Sequence, residues 1–176
     1  MNVCAKNWLA KHYNTSIQHI DNLLKDEKAT SYLLIWSVFE QEIFDGYMRI
    51  KDIKSVSVEF AKYSSVLGVD NIAEKFHIRY QNHNNYKHLI HDQDYAYFKA
   101  IIDKSFADIS QIEILEMLFF IVYRYRNNIF HGNKKVLAWT QYTEQIEDCL
   151  AFITKILDLN EKETIIKRNG VDSTAI

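Results

Sequence analysis

Proline is absent from the 176 residues, and glycine occurs only four times. Turn-rich sheet proteins use both, glycine for positive φ and proline for fixed turn geometry. Their scarcity points to long helices joined by short loops. Cysteine is scarce as well. Cys4 and Cys149 lie far apart with no CxxC pair, which fits two reduced thiols in a cytoplasmic protein and not a disulfide framework. The N-terminus lacks a basic segment followed by an apolar stretch, so no signal peptide is expected. The most apolar stretch, 112–123, is too short to span a bilayer and carries Glu113 and Glu116. It reads as a core helix, and no membrane partner is expected.

What is present is enough for a core. Hydrophobic residues make up 48% of the chain, which sets it apart from disordered sequences. Residues 1–160 read as one helical domain without repeat or linker, and 161–176 as a flexible polar tail. The formal net charge is −2. A protein gripping nucleic acid over a broad surface would be basic, so any RNA contact here must be local. One locality fits: Arg124, Arg126, Lys134 and Lys135 fall in a stretch, 124–135, that contains no acid.

Periodicity and capping signals predict a first helix over 3–25, broken near Asn14-Thr15. A second covers 31–50, with Thr30 or Ser31 as its cap. Helical pieces follow at 56–67, 70–81 and 95–104. The Asn- and His-rich stretch 83–92 reads as a loop with a short helix. A long helix opens at Ser110, where Ser110-Gln111-Ile112-Glu113 has the capping-box pattern, and ends within 127–132, where Asn and Gly are stop residues. The last helix covers 140–159.

Two of these helices carry something that a plain core does not explain. On a helical wheel Leu33, Trp36, Ile43, Phe44 and Tyr47 form one apolar face of the second helix, with Glu40 in its middle. A lone carboxylate buried there would cost several kcal/mol or more, so Glu40 must be paired, protonated or facing a cleft. On the long helix Ile112, Leu115, Leu118, Phe119, Val122 and Ile129 share a face with Arg126, while Arg124 points the other way. The economical expectation is that Glu40 and Arg126 meet, directly or through water. A structural ion pair fixing helix register remains open beside any functional role.

That helix ends in Tyr125-Arg126-Asn127-Asn128-Ile129-Phe130-His131-Gly132. A phosphate-binding cation lies near the one side chain that exchanges protons around neutral pH. Arg124 to His131 also fits a looser Arg-x6-His spacing. Arg126-Asn127 followed by His131-Gly132 late in the chain, with Glu40 on an early helix, resembles the Arg-x4-His motif of HEPN domains. The likeness runs mainly over 31–159. It implies an all-α, HEPN-like bundle of four to five main helices with short extra helices. It further implies a homodimer whose two motifs face one cleft, and a metal-independent endoribonuclease of toxin or defence type with a cognate antitoxin or regulator. Carried over, Arg126 and His131 are the catalytic pair and Asn127 the polar residue beside them. Some HEPN toxins place a modified tyrosine two residues after the histidine; Asn133 stands there in this chain.

The chemistry fits these residues without the family. RNA supplies its own nucleophile, the 2′-OH. Histidine can accept that proton or give one to the leaving 5′-oxygen. A guanidinium can hold phosphate oxygens and stabilise the added charge of the transition state. Residues five apart on a straight helix diverge by ~140°. The Asn-Asn step and Gly132 allow the last turn to loosen, or two chains to combine groups. Arg124, Lys134 and Lys135 are expected to contact RNA and Glu40 to support Arg126; no cofactor is called for.

Other candidates are weaker. His83, His88, His91, Asp92 and Asp94 lack a familiar ligand spacing and read as a solvated loop. His77 and Arg79 are expected on a helix surface. Tyr32, Trp36, Phe39, Phe119, Phe120 and Phe130 are expected in the core. The alternative to a nuclease is a non-catalytic HEPN-like interaction or scaffold module.

Overall fold

A computed structural model describes residues 3–25, 27–91, 93, 95–130 and 142–166. Among them the chain is all-α, without strands. The helices are α1 (Val3–His12), α2 (Ile17–Leu24), α3 (Glu27–Phe44), α4 (Ile50–Ala61), α5 (Ser64–Leu67), α6 (Asp70–Gln81), α7 (His83–Ile90), α8 (Ala96–Ile102), α9 (Gln111–Phe130) and α10 (Thr143–Glu163), with a 3-10 turn at Phe106–Asp108. No helix among the described residues is long and apolar enough to cross a membrane.

Helix α9 is the axis of the fold. Met117 through Val122 are fully buried on every side, as a helix apolar all round must be. Helix α4 runs along one flank, α6, α7 and α8 cover another, and α10 packs on both α3 and α9. Phe119 gathers Phe39, Phe44, Phe60 and Phe152 at ring separations of 5.1–6.2 Å. Its neighbour Phe120 faces the other half and meets Phe98 at 4.4 Å and Tyr95 at 4.8 Å. Of the expected core aromatics, Tyr32, Trp36, Phe39, Phe119 and Phe120 are all buried.

Several boundaries follow from local chemistry. The break expected in the first helix falls at Asn14, in the left-handed region at φ 49°, and Ser16 Oγ accepts from His19 N at 3.1 Å to open α2. At Ser110 the capping box is complete: Ser110 N donates to Glu113 Oε2 at 3.0 Å, and Glu113 N to Ser110 Oγ at 3.3 Å. Helix α6 covers the span expected of it. Asn82 accepts from the backbone N–H groups of Asn84 and Asn85, so the Asn-rich stretch is largely the helix α7.

Other expectations are corrected. Thr30 and Ser31 do not cap α3, which already begins at Glu27. The same helix stops at Phe44, because Asp45 and Gly46 take positive φ and Gly46 N donates to Glu40 O at 2.9 Å. Ile50 therefore opens α4, and Tyr47 leaves the apolar face and is 56% exposed. The expected piece at 56–67 resolves into α4 and α5. Helix α10 continues past Leu159 to Glu163, so the first residues assigned to the tail are helical; 167–176 lie outside the described residues. His77 is 2% exposed and packs against Phe106 at 5.5 Å, since it shares the inward stripe of Ala73, Phe76 and Tyr80.

Candidate functional site

The site is built where α3 and α9 pass each other. Tyr32 Oη donates to Val122 O at 2.8 Å and pins the two helices side by side. Burial pushes the Tyr32 phenol far above its ordinary pKa, so it stays a neutral donor. Two turns along α3 from Tyr32, Glu40 sits at the edge of the core. Its Oε1 accepts from Met48 N at 3.1 Å, and this bond from the turn after α3 aims the carboxylate. Oε2 then lies 3.8 Å from Arg126 Nη2. Such a separation is an ion-pair contact, longer than a hydrogen bond.

Arg126 is also held by Asn127, whose Oδ1 accepts from Nη1 at 3.0 Å, and its Cζ lies 6.0 Å from the Trp36 ring centre. Its side chain remains 20% exposed against 12% for Glu40. The expected meeting of acid and arginine is thus present, with Asn127 as a third member. His131, Gly132, Asn133, Lys134 and Lys135 lie outside the described residues.

Arg124 points away from Arg126, as the wheel has it, but toward α7 and not toward solvent. It is 6% exposed, and its guanidinium is occupied inside the protein. Nε donates to Leu89 O at 3.0 Å, Nη2 to Ile90 O at 3.2 Å and Nη1 to Tyr95 Oη at 3.1 Å and Gln93 Oε1 at 3.4 Å. Its Cζ stands 5.4 Å from the Tyr95 ring. The last carbonyls of α7 lack helical donors and carry negative partial charge, so a cation there is well placed. Arg124 is consequently a strut between α9 and α7, and its expected role as an RNA contact is corrected. The signal was in the sequence: in a run apolar all round, both sides of the helix are covered, and an arginine facing away from one partner faces another.

The α7 side holds more that sequence reasoning missed. Asn128 is buried and its Nδ2 reaches Leu89 O at 3.5 Å. Tyr80 Oη donates to Tyr125 Oη at 3.1 Å, and burial raises both phenols above their ordinary pKa. Among the described residues no group of three or more His, Cys, Asp or Glu side chains is arranged to hold a metal, while Asp92 and Asp94 of the His-rich stretch lie outside them.

No protein-family model matches the chain, and neither a curated protein nor a solved structure matches it.

Proposed function

We propose that the chain is a HEPN-like, metal-independent endoribonuclease of toxin or defence type. It acts as a homodimer on RNA, under a cognate antitoxin or regulator. His131 takes the 2′-OH proton, and the 2′-oxygen attacks the adjacent phosphorus. The bond to the 5′-oxygen breaks, that oxygen takes up a proton, and a 2′,3′-cyclic phosphate remains. Arg126 holds the non-bridging oxygens as charge builds on them, and Asn127 Nδ2 donates beside it. Lys134 and Lys135 add local positive charge. Glu40 positions Arg126.

One observation carries the reading. Of the two arginines near the end of α9, Arg124 is consumed by α7, whereas Arg126 is braced by Glu40 and Asn127 and keeps a fifth of its surface. A braced but reachable guanidinium suits an anionic phosphate. Two motifs facing one groove would double the local positive charge on an acidic chain. The experiment is cleavage of a single-stranded RNA in EDTA with end-group analysis. A 2′,3′-cyclic phosphate product from the wild type and its loss in Arg126→Ala support the reading. A strict requirement for divalent metal overturns it.

A second reading is the non-catalytic HEPN-like interaction or scaffold module. It is favoured by the same triad, because Glu40, Asn127 and Trp36 already engage the guanidinium. In that case Arg126→Ala lowers stability, and neither protein cuts RNA.

A further inference from the structure

Four arginines stand among the described residues, and three are accounted for. Arg49 pairs with Asp52 at 2.7 Å, Arg124 is taken up by the carbonyls of α7, and Arg126 faces Glu40. Arg79, in the last turn of α6, is the fourth. It is partly exposed, and its Nε is buried without a hydrogen-bond partner. No acid among the described residues pairs with it. Lys75, one turn earlier on α6, takes Asp148 of α10 at 3.0 Å; Glu144 of α10 acts on Lys75 from farther off and pairs with neither cation. The Arg79 guanidinium stands instead against the Tyr125 phenol, which accepts from Tyr80 at 3.1 Å. Burial keeps that phenol neutral, so it leaves the charge of Arg79 uncompensated.

Tyr125 is also the residue before Arg126. Its ring meets that of Tyr142, where the chain enters α10, with centres 6.3 Å apart. The Tyr32 phenol lies within electrostatic reach of both Tyr125 and Arg126. Arg79 from α6 and Arg126 from α9 thus flank one cluster of neutral phenols. Asn85 Nδ2 donates to Arg79 O at 3.2 Å and fixes the end of α6 from which the side chain leaves. We propose, on the RNA-cleaving reading above, that Arg79 is a second phosphate-binding arginine, gripping a backbone phosphate of the same strand beside the one that Arg126 holds. A guanidinium with no anionic partner among the described residues can take two phosphate oxygens at once. It grips the strand away from the reacting atoms and is a binding residue. A cation in the last turn of α6 would also suit the helix dipole, a role that leaves RNA affinity untouched.

A fluorescent oligoribonucleotide made non-cleavable by 2′-deoxy substitution is titrated by anisotropy, and kcat is read separately on its all-ribose form. Arg79→Gln should weaken binding about fivefold or more. It should also lower the slope of log affinity against log salt by about 0.7, the value of one single-strand phosphate contact. Its kcat at saturating RNA should stay within about threefold of wild type, because a binding residue leaves the chemical step alone. Arg79→Lys should recover most of the affinity, since an ammonium still meets a phosphate. Lys11→Gln, the same charge loss at an exposed position on α1, should change neither quantity. Melting curves check that the variants fold. A second test needs no variant: the bound oligonucleotide should protect Arg79 of the wild type from phenylglyoxal, read by mass spectrometry. Unchanged affinity and salt slope in folded Arg79→Gln, or equal modification of Arg79 with and without RNA, overturns the assignment. So does a loss of kcat at unchanged affinity. Wild type that neither cuts nor binds RNA would remove the nuclease reading and this contact together. Wild type that binds without cutting, and loses affinity in Arg79→Gln, would remove the nuclease reading alone.

Discussion

The Glu40 carboxylate lies 3.8 Å from the Arg126 guanidinium, across the junction of two helices far apart in the sequence. Its other oxygen accepts from Met48 N. Glu40 therefore ties the turn after α3 to the end of α9, and its removal leaves Met48 N without this acceptor and takes the carboxylate away from Arg126. Glu40→Ala should cost about 1–3 kcal/mol in urea denaturation, below the usual figure for a deeply buried pair, because both side chains keep some solvent contact. Glu40→Gln should cost less than about 1 kcal/mol, since the amide oxygen still accepts from Met48. Equal stability of Glu40→Ala and wild type would show that Glu40 is no brace.

Arg124→Ala is expected to damage the fold more than Arg126→Ala. It leaves Leu89 O with only the long bond from Asn128 Nδ2 and Ile90 O with only Gln93 N, and empties a buried volume, at about 2–4 kcal/mol. Arg124→Lys should recover only part, because an ammonium cannot span both carbonyls and Tyr95 in the same geometry. Melting curves of the three variants test the order. An Arg124→Ala protein as stable as wild type would contradict the strut.

Much of this was legible beforehand. Without proline, and with one helix apolar on every side, the chain had few ways to fold except around 112–123. The Ser110–Glu113 box and the break at Asn14 were readable because the residues concerned make the bonds themselves. Glu40 and Arg126 could be paired because each interrupts an apolar stripe. The end of α3 was harder to see. Gly46 was a cue, but Asp45 must also adopt positive φ, and no short-range pattern announces that. The side of Arg124 was legible, but its burial was not, because a helix covered on all sides was treated as though it had an outside.

Acid should weaken the start of α9 through Glu113. Lys104 foremost, then the Ser110 backbone N–H, hold this carboxyl below its usual range. A depressed folded pKa means that the stabilisation is fully present above the unfolded value, ~4.3, and is lost as pH falls through the folded value. Glu113→Gln should therefore be less stable than wild type at neutral pH, by no more than about 1 kcal/mol at this partly exposed site. The gap should close in strong acid. A gap that widens as the pH drops would contradict the sign.

Assembly is testable without RNA. A twofold dimer bringing the two motif ends into one groove should bury more than about 1,000 Å² in total and appear at twice the chain mass by light scattering. A strict monomer at micromolar concentration, with and without RNA, would reject the shared groove and favour the scaffold reading.

The most direct measurement compares wild type with folded His131→Ala on single-stranded RNA in EDTA. Wild-type cleavage to a 2′,3′-cyclic phosphate, reduced in His131→Ala by about a hundredfold or more, is the expected result for a general acid–base residue. Full activity in the folded His131→Ala protein would contradict the nuclease mechanism.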